Sequence, residues 1–259
     1  SRMEIAIICI AAFLVAILTF FSGFGLGTIL TPVFMLFFPV ELAIALTGIV
    51  HFCNNLFKIF LVGAKADKDV LLRFGVPAVL AAFAGAWLLL QITDLQPLFS
   101  YSIGNKTIDV LPVKFIVSIL LLIFAIIELL PYFKHLQFNR NKLPIGGILS
   151  GIFGGLSGNQ GALRSAFLMK AGLTKETFIG TAVVVSTFVD LTRLSVYASR
   201  FSKVGIEENI VLILCAVASG IAGSYIGLKL LKKITLAFIQ KLVAVLLIVL
   251  SVALGSGLL

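Results

Sequence analysis

Long apolar stretches separated by short polar ones dominate the chain. Apolar runs recur at Ile5 to Phe21, Val76 to Leu90, Val113 to Leu130, Ile210 to Leu231 and Leu236 to Leu254. Each is long enough to cross a hydrocarbon core about 30 Å thick as a helix. Two further regions, Met3 to Pro39 and Leu143 to Lys170, are too long for one crossing. Each holds an apolar run, a glycine cluster and a shorter apolar run. The clusters are "SGFGLGT" (Ser22 to Thr28) and "GGLSGNQGA" (Gly154 to Ala162). Glycines spaced in this way break a helix and expose its backbone. Each region therefore predicts a broken helix or a membrane hairpin.

Composition agrees with the pattern. Hydrophobic residues make up 60% of the 259 residues, charged residues 12%, and the mean hydropathy is +1.18. A water-facing surface needs more polar side chains than this, so the expected fold class is an all-α polytopic membrane protein. The net charge of +9 would suggest nucleic acid on a soluble protein. No basic, aromatic-interleaved stretch supports that reading, and no nucleic-acid partner is expected. The charge instead fits basic cytoplasmic loops, which set orientation. Cys9, Cys53 and Cys215 lie inside apolar runs with no CxxC pair, so neither a disulfide framework nor a zinc site is expected. No metal or other cofactor is expected. Ser1 and Arg2 precede Met3 and are set aside, and no cleavable signal peptide is expected.

The two glycine-broken regions resemble each other. Gly27 and Gly161 stand 134 residues apart, and the same offset pairs Thr31 with Ser165 and Thr47 with Thr181. A slip of one residue pairs Asn55 with Asp190 and Lys58 with Arg193. Such an internal repeat is the pattern of inverted-repeat transporters. The basic stretches Lys65 to Arg73 and Lys134 to Lys142 should be cytoplasmic, and the nearly neutral Thr93 to Pro112 should face outward. Every loop then fits if Leu143 to Lys170 enters the membrane and returns. The expectation is two inverted repeats, residues 3–133 and 143–259, joined by a basic cytoplasmic linker at 134–142. Each repeat is a glycine-broken helical hairpin plus three helices, about ten membrane segments in all, with both termini outside. The alternative is eight crossings in two parallel halves.

Unpaired backbone at membrane depth is tolerated only where it lines a water-filled or protein-enclosed cavity. The glycine clusters therefore mark a cavity, and the short helices after them point positive N-termini into it, which favours anions. Gly25, Gly27 and Thr28 fall at the first break, with Gly158 and Gly161 at the second. Ser157, Asn159 and Gln160 can add neutral donors, and Arg164 a fixed cation one turn into the short helix. "HFCNNLFK" places His51, Asn54, Asn55 and Lys58 on a membrane helix, with His51–Asn55 and Asn54–Lys58 as i,i+4 pairs. "STFVDLTR" carries Ser186, Asp190 and Arg193. Ionisable residues at membrane depth are costly and usually face a pathway. Each has a plainer reading. Lys58 and Arg193 can snorkel to an interface, Asp190–Arg193 can be a structural ion pair, and the glycines can serve close helix packing.

These residues resemble the TauE/SafE sulfite exporter family over nearly the whole chain. The motifs that carry the resemblance are "GFGLGTILTPVFML", with Pro32, and "GGLSGNQGALRSAFL". The chain departs from the family pattern at Ala166, where Pro32 falls in the first motif, and at Asn159-Gln160, where glycines are common. The resemblance implies a transporter of the bacterial inner membrane that exports sulfite or a small organosulfur anion such as sulfoacetate. Its partners are then that anion and the lipid bilayer, with homodimerisation left open. Two rivals remain: a passive anion channel of the same fold, and an intramembrane serine hydrolase built on the GxSG at Gly155 to Gly158. The hydrolase reading is weakened because both histidines, His51 and His135, precede Ser157.

Overall fold

Residues 2–20, 25–104, 106–130, 139–158, 160–168, 171–201, 207–230 and 236–258 are described by a computed structural model of the chain. Among them are ten helices of eight residues or more. The first five are α1 (Arg2–Thr19), α2 (Leu26–Met35), α3 (Val40–Val62), α4 (Val76–Thr93) and α5 (Pro112–Leu129). The second five are α6 (Leu143–Ser157), α7 (Gly161–Leu168), α8 (Lys175–Phe201), α9 (Ile210–Leu230) and α10 (Leu236–Gly255). Among the described residues, five stretches are long and apolar enough to span a membrane: Arg2–Thr19, Leu42–Lys65, Lys68–Thr93, Lys175–Arg200 and Glu207–Lys229. The chain is thus a polytopic helical membrane protein. At 1.5 Å per residue, α2 and α7 reach only about 15 Å and 12 Å, roughly half of a bilayer core.

The mostly helical chain also carries one short β element. The segment between α4 and α5 forms an antiparallel hairpin of β1 (Phe99–Ile103) and β2 (Lys106–Val110), with Tyr101 opposite Ile108. The cause lies in "FSYSI" and "KTIDV". Both alternate apolar and polar residues and are rich in aromatic and β-branched side chains, which suit a strand. The Tyr101 hydroxyl donates to the Ser256 carbonyl, tying the hairpin to the end of the chain.

Most of the main helix contacts pair off when each helix is shifted five places along the chain, with α6–α8, α4–α5 and α3–α4 as the exceptions. α1 packs on α9, and α6 packs on α4. α3 packs on α9, and α8 on α4. α2 touches α10, and α7 touches α5. The pairs α3–α8 and α5–α10 map onto themselves. α1 runs parallel to α9, since an added Cβ at Gly223 would meet the Phe13 carbonyl and one at Gly227 the Ile17 carbonyl. α6 likewise runs parallel to α4. α3 and α8 are antiparallel, with Gly180 near the start of α8 against the Val62 carbonyl at the end of α3.

Loops sort to opposite ends of the bundle. At one end Arg140, just before α6, lies 3.2 Å from Asp69 and 3.7 Å from Asp67, and its Nε donates to the Ala171 carbonyl after α7. The turn leaving α7 therefore returns to the end where α6 began. At the other end Arg200 of α8 pairs with Asp94 beyond α4 at 2.6 Å.

Three glycines of α6, among them Gly155 of the second cluster, serve packing. Added Cβ atoms at Gly147, Gly151 and Gly155 would lie 2.2, 2.1 and 2.3 Å from the carbonyl oxygens of Phe74, Ala78 and Ala82. Backbone cannot yield as a side chain can, so small residues every fourth position bring α6 against α4. Gly151→Ala is expected to destabilise the protein by about 1–3 kcal/mol through overpacking. A thermal unfolding scan in detergent checks this, and an unchanged midpoint would contradict the close approach.

Candidate functional site

A left-handed glycine precedes each short helix. Gly25 (φ 113°) precedes α2, and Gly158 (φ 78°) ends α6 before α7. L side chains rarely adopt this backbone, so glycine suits these two positions. The residue at the first break is thus Gly25. Gly27, expected there, sits in the first turn of α2, where the Thr31 hydroxyl donates to its carbonyl. The two breaks meet. A Cβ on Gly27 would lie 3.5 Å from the Gly158 carbonyl oxygen and 3.6 Å from His51 Cδ2.

α3 and α8 cross at the same place. His51 Nδ1 lies 2.6 Å from Asp190 Oδ2. A carboxylate only accepts, so Nδ1 carries the proton and donates. Asn55 Nδ2 donates to the same oxygen at 3.3 Å. Arg193 Nε donates to Asp190 Oδ1 at 3.0 Å. Its Nη2 lies 2.9 Å from that oxygen, too acutely for a hydrogen bond, and so contributes charge alone. Arg193 Nη1 reaches toward the second break, 2.7 Å from where a Cβ on Gly158 would stand. Asp190 and Arg193 are both fully buried.

Beside this cross lies a tight cleft of about 10 Å³, room for about one water molecule, lined by Thr19, Phe20, Leu26, His51, Asn55, Lys58, Arg164, Ala182, Val183 and Ser186. Leu26 opens α2 and Arg164 lies in the first turn of α7, so the starts of both short helices border it. Arg164 Nη1 donates to Ser186 Oγ at 2.9 Å. Lys58 Nζ stands 5.2 Å from the Phe20 ring centroid. Lys58 and Arg164 are only 6% and 1% exposed. Among the described side chains here, three buried cations (Lys58, Arg164, Arg193) surround one buried carboxylate, Asp190. Buried charge is costly unless compensated. The chemistry this arrangement offers is capture of an oxyanion by a guanidinium fork, an ammonium and two helix N-termini.

A model of the sulfite exporter TauE/SafE family matches residues 8–254. The chain belongs to the sulfite exporter TauE/SafE family. No curated protein and no solved structure matches it. TauE/SafE membership implies a membrane transporter for sulfite or related anions.

Within this TauE/SafE protein the expected site residues divide. His51, Asn55 and Arg164 line the cleft, while Asp190, Arg193, Gly27 and Gly158 lie directly behind it. Gly25, Thr28 and Gly161 are buried at the breaks, and Gly161 opens α7. Asn54 turns the other way and accepts a hydrogen bond from Ser224 of α9 at 2.7 Å. Lys58, one turn further along α3, borders the cleft instead. The Ser157 hydroxyl donates to the Phe153 carbonyl of its own helix at 3.0 Å. Gln160 packs against Gly154, and its amide has no hydrogen-bond partner among the described residues. Asn159 lies outside the described residues. Lys58 and Arg193 are buried and do not snorkel to an interface. Lys58 and Ser186, noted in the sequence as polar residues of these helices but not counted among the expected site residues, also line the cleft. Their signal is spacing: Lys58 is seven residues beyond His51, and Ser186 four before Asp190, so each shares a helix face with its partner.

Proposed function

We propose that this protein exports sulfite, or an organosulfonate such as sulfoacetate, across a bacterial inner membrane, and that the cleft at the two helix breaks binds the anion. Arg164 and Lys58 carry the reading, because both are buried side chains lining one cleft with a hydroxyl and a helix start. Arg164 supplies a planar fork for paired oxygens and Lys58 a point charge. Residues 3–133 and 143–259 then act as two inverted repeats joined by a cytoplasmic linker at 134–142. The five-place pairing of most main helix contacts, the parallel pairs α1–α9 and α4–α6, and the Arg140 and Arg200 ion pairs support that arrangement. Export needs no nucleotide, since an inside-negative potential favours outward movement by about 2.3 kcal/mol per charge per 100 mV.

Proteoliposomes loaded with sulfite, sulfoacetate, thiosulfate, sulfate or acetate test the substrate. Saturable efflux of sulfite or sulfoacetate, faster with a negative interior, is expected. Equal efflux of all five anions, or of none, would overturn the proposal. Cysteine labelling in intact cells tests the orientation, with Cys9, Cys53 and Cys215 first replaced. An impermeant maleimide should label Ser102→Cys and spare Asn139→Cys, and the reverse pattern contradicts it.

A further inference from the structure

His51 is the one histidine in the cleft, and binding an anion does not by itself require one. Its ring lines the cleft, Nδ1 donates to Asp190 with Asn55 Nδ2 3.3 Å away, and Cδ2 faces Gly27. The carboxylate therefore fixes the tautomer and leaves Nε2 as the ring's remaining proton-binding atom. The charged groups facing the ring are Asp190 and Arg193 on α8, Arg164 on α7 and Lys58 on its own helix. α2 and α4 contain no ionisable side chain. α9 meets α3 through Asn54 and Ser224, while its Lys229 stands over Tyr225.

In the empty cleft, three cations oppose a second proton on the ring and Asp190 favours it. An oxyanion beside Arg164 and Lys58 adds negative charge on the open side of the ring. That shifts the balance toward the imidazolium, whose Nε2–H then becomes a further charge-assisted donor. Linkage makes the effect reciprocal, so a proton on His51 must tighten the anion by the same factor. An exchange of proton for anion would need each to expel the other, and these charges work the opposite way.

We propose that His51, held by Asp190, is a proton-binding site coupled to the anion site, so that proton and oxyanion bind together and move in the same direction. This rests on the reading of the cleft as an anion site. A dianion then crosses with one negative charge cancelled.

Calorimetric titration of the purified protein with sodium sulfite tests it, run between about pH 6 and pH 9 in two buffers of different ionisation enthalpy. The proton balance is corrected for sulfite's own titration. Uptake of about one proton per anion is expected, with affinity falling about tenfold per pH unit on the alkaline side. His51→Gln should bind sulfite more weakly, with an affinity independent of pH after the same correction. His135, the only other histidine, is the control, and His135→Gln should leave the uptake unchanged. Absence of proton uptake in the wild-type protein overturns the proposal with no variant needed. Undiminished uptake in His51→Gln overturns it as well. Failure to bind sulfite at any pH instead rejects the anion reading, and this inference with it.

Discussion

Asp190→Ala is expected to lower stability by about 3–5 kcal/mol, among the largest effects of any single substitution in the chain. The carboxylate is fully buried and both of its oxygens are occupied, Oδ2 by His51 and Asn55 and Oδ1 by Arg193. Removing it strands the Arg193 guanidinium, also fully buried, next to Gly158 at the second helix break. It also removes the bond that joins α3 to α8. The cost comes from the orphaned charge more than from the lost attraction, so it should be reversible. Asp190→Leu combined with Arg193→Met replaces the pair with apolar groups and should recover most of the loss. Thermal unfolding of single and double variants in the same detergent checks the cycle. A double variant as unstable as Asp190→Ala would show that the charge is not the cause.

Arg164→Ala is expected to raise the half-saturating sulfite concentration about 10- to 150-fold, the equivalent of a charge-assisted hydrogen bond worth roughly 1.5–3 kcal/mol. The guanidinium is 1% exposed, lies in the first turn of α7 and lines the cleft with Lys58. Its bond to Ser186 fixes the direction of the fork. Arg164→Lys keeps the charge and loses the fork, so it should fall between the wild type and the alanine variant. Initial efflux rates across a range of sulfite concentrations measure this. Adding Asp190→Ala to Arg164→Ala should not restore flux, because the charge Asp190 balances is that of Arg193. Restored flux would make Arg164 a structural partner of the carboxylate.

What the sequence displayed and what it hid follow from periodicity. The second break fell where the glycines predicted it, and Arg164 sits in the first turn of the helix behind it. Asp190 and Arg193, three apart on one helix, were legible as a pair and are one. His51 and Asn55 share a face, as their spacing requires. Spacing describes one helix, however, and says little about which neighbour covers each face. Asn54 is polar like Asn55, but α9 covers it and Ser224 takes its oxygen. Lys58, near the end of α3, had the pattern of an interfacial lysine, yet the end of α1 and the start of α7 enclose it. The glycines were ambiguous for the same reason. Gly147, Gly151 and Gly155 differ from Gly158 only in what stands opposite, carbonyls of α4 and its lead-in for the first three and a change of chain direction for the last.

Where the anion sits decides the account. Selenite has the shape and charge of sulfite and a heavy atom that can be located by anomalous scattering. A structure of the protein crystallised with selenite should place one selenium atom in the cleft, with its oxygens within hydrogen-bond reach of the Arg164 guanidinium and the Lys58 ammonium. Arg164→Ala crystals should lose that peak at the same selenite concentration. A selenium atom bound elsewhere along the helices while the cleft stays empty would contradict the assignment of the helix breaks as the transport site.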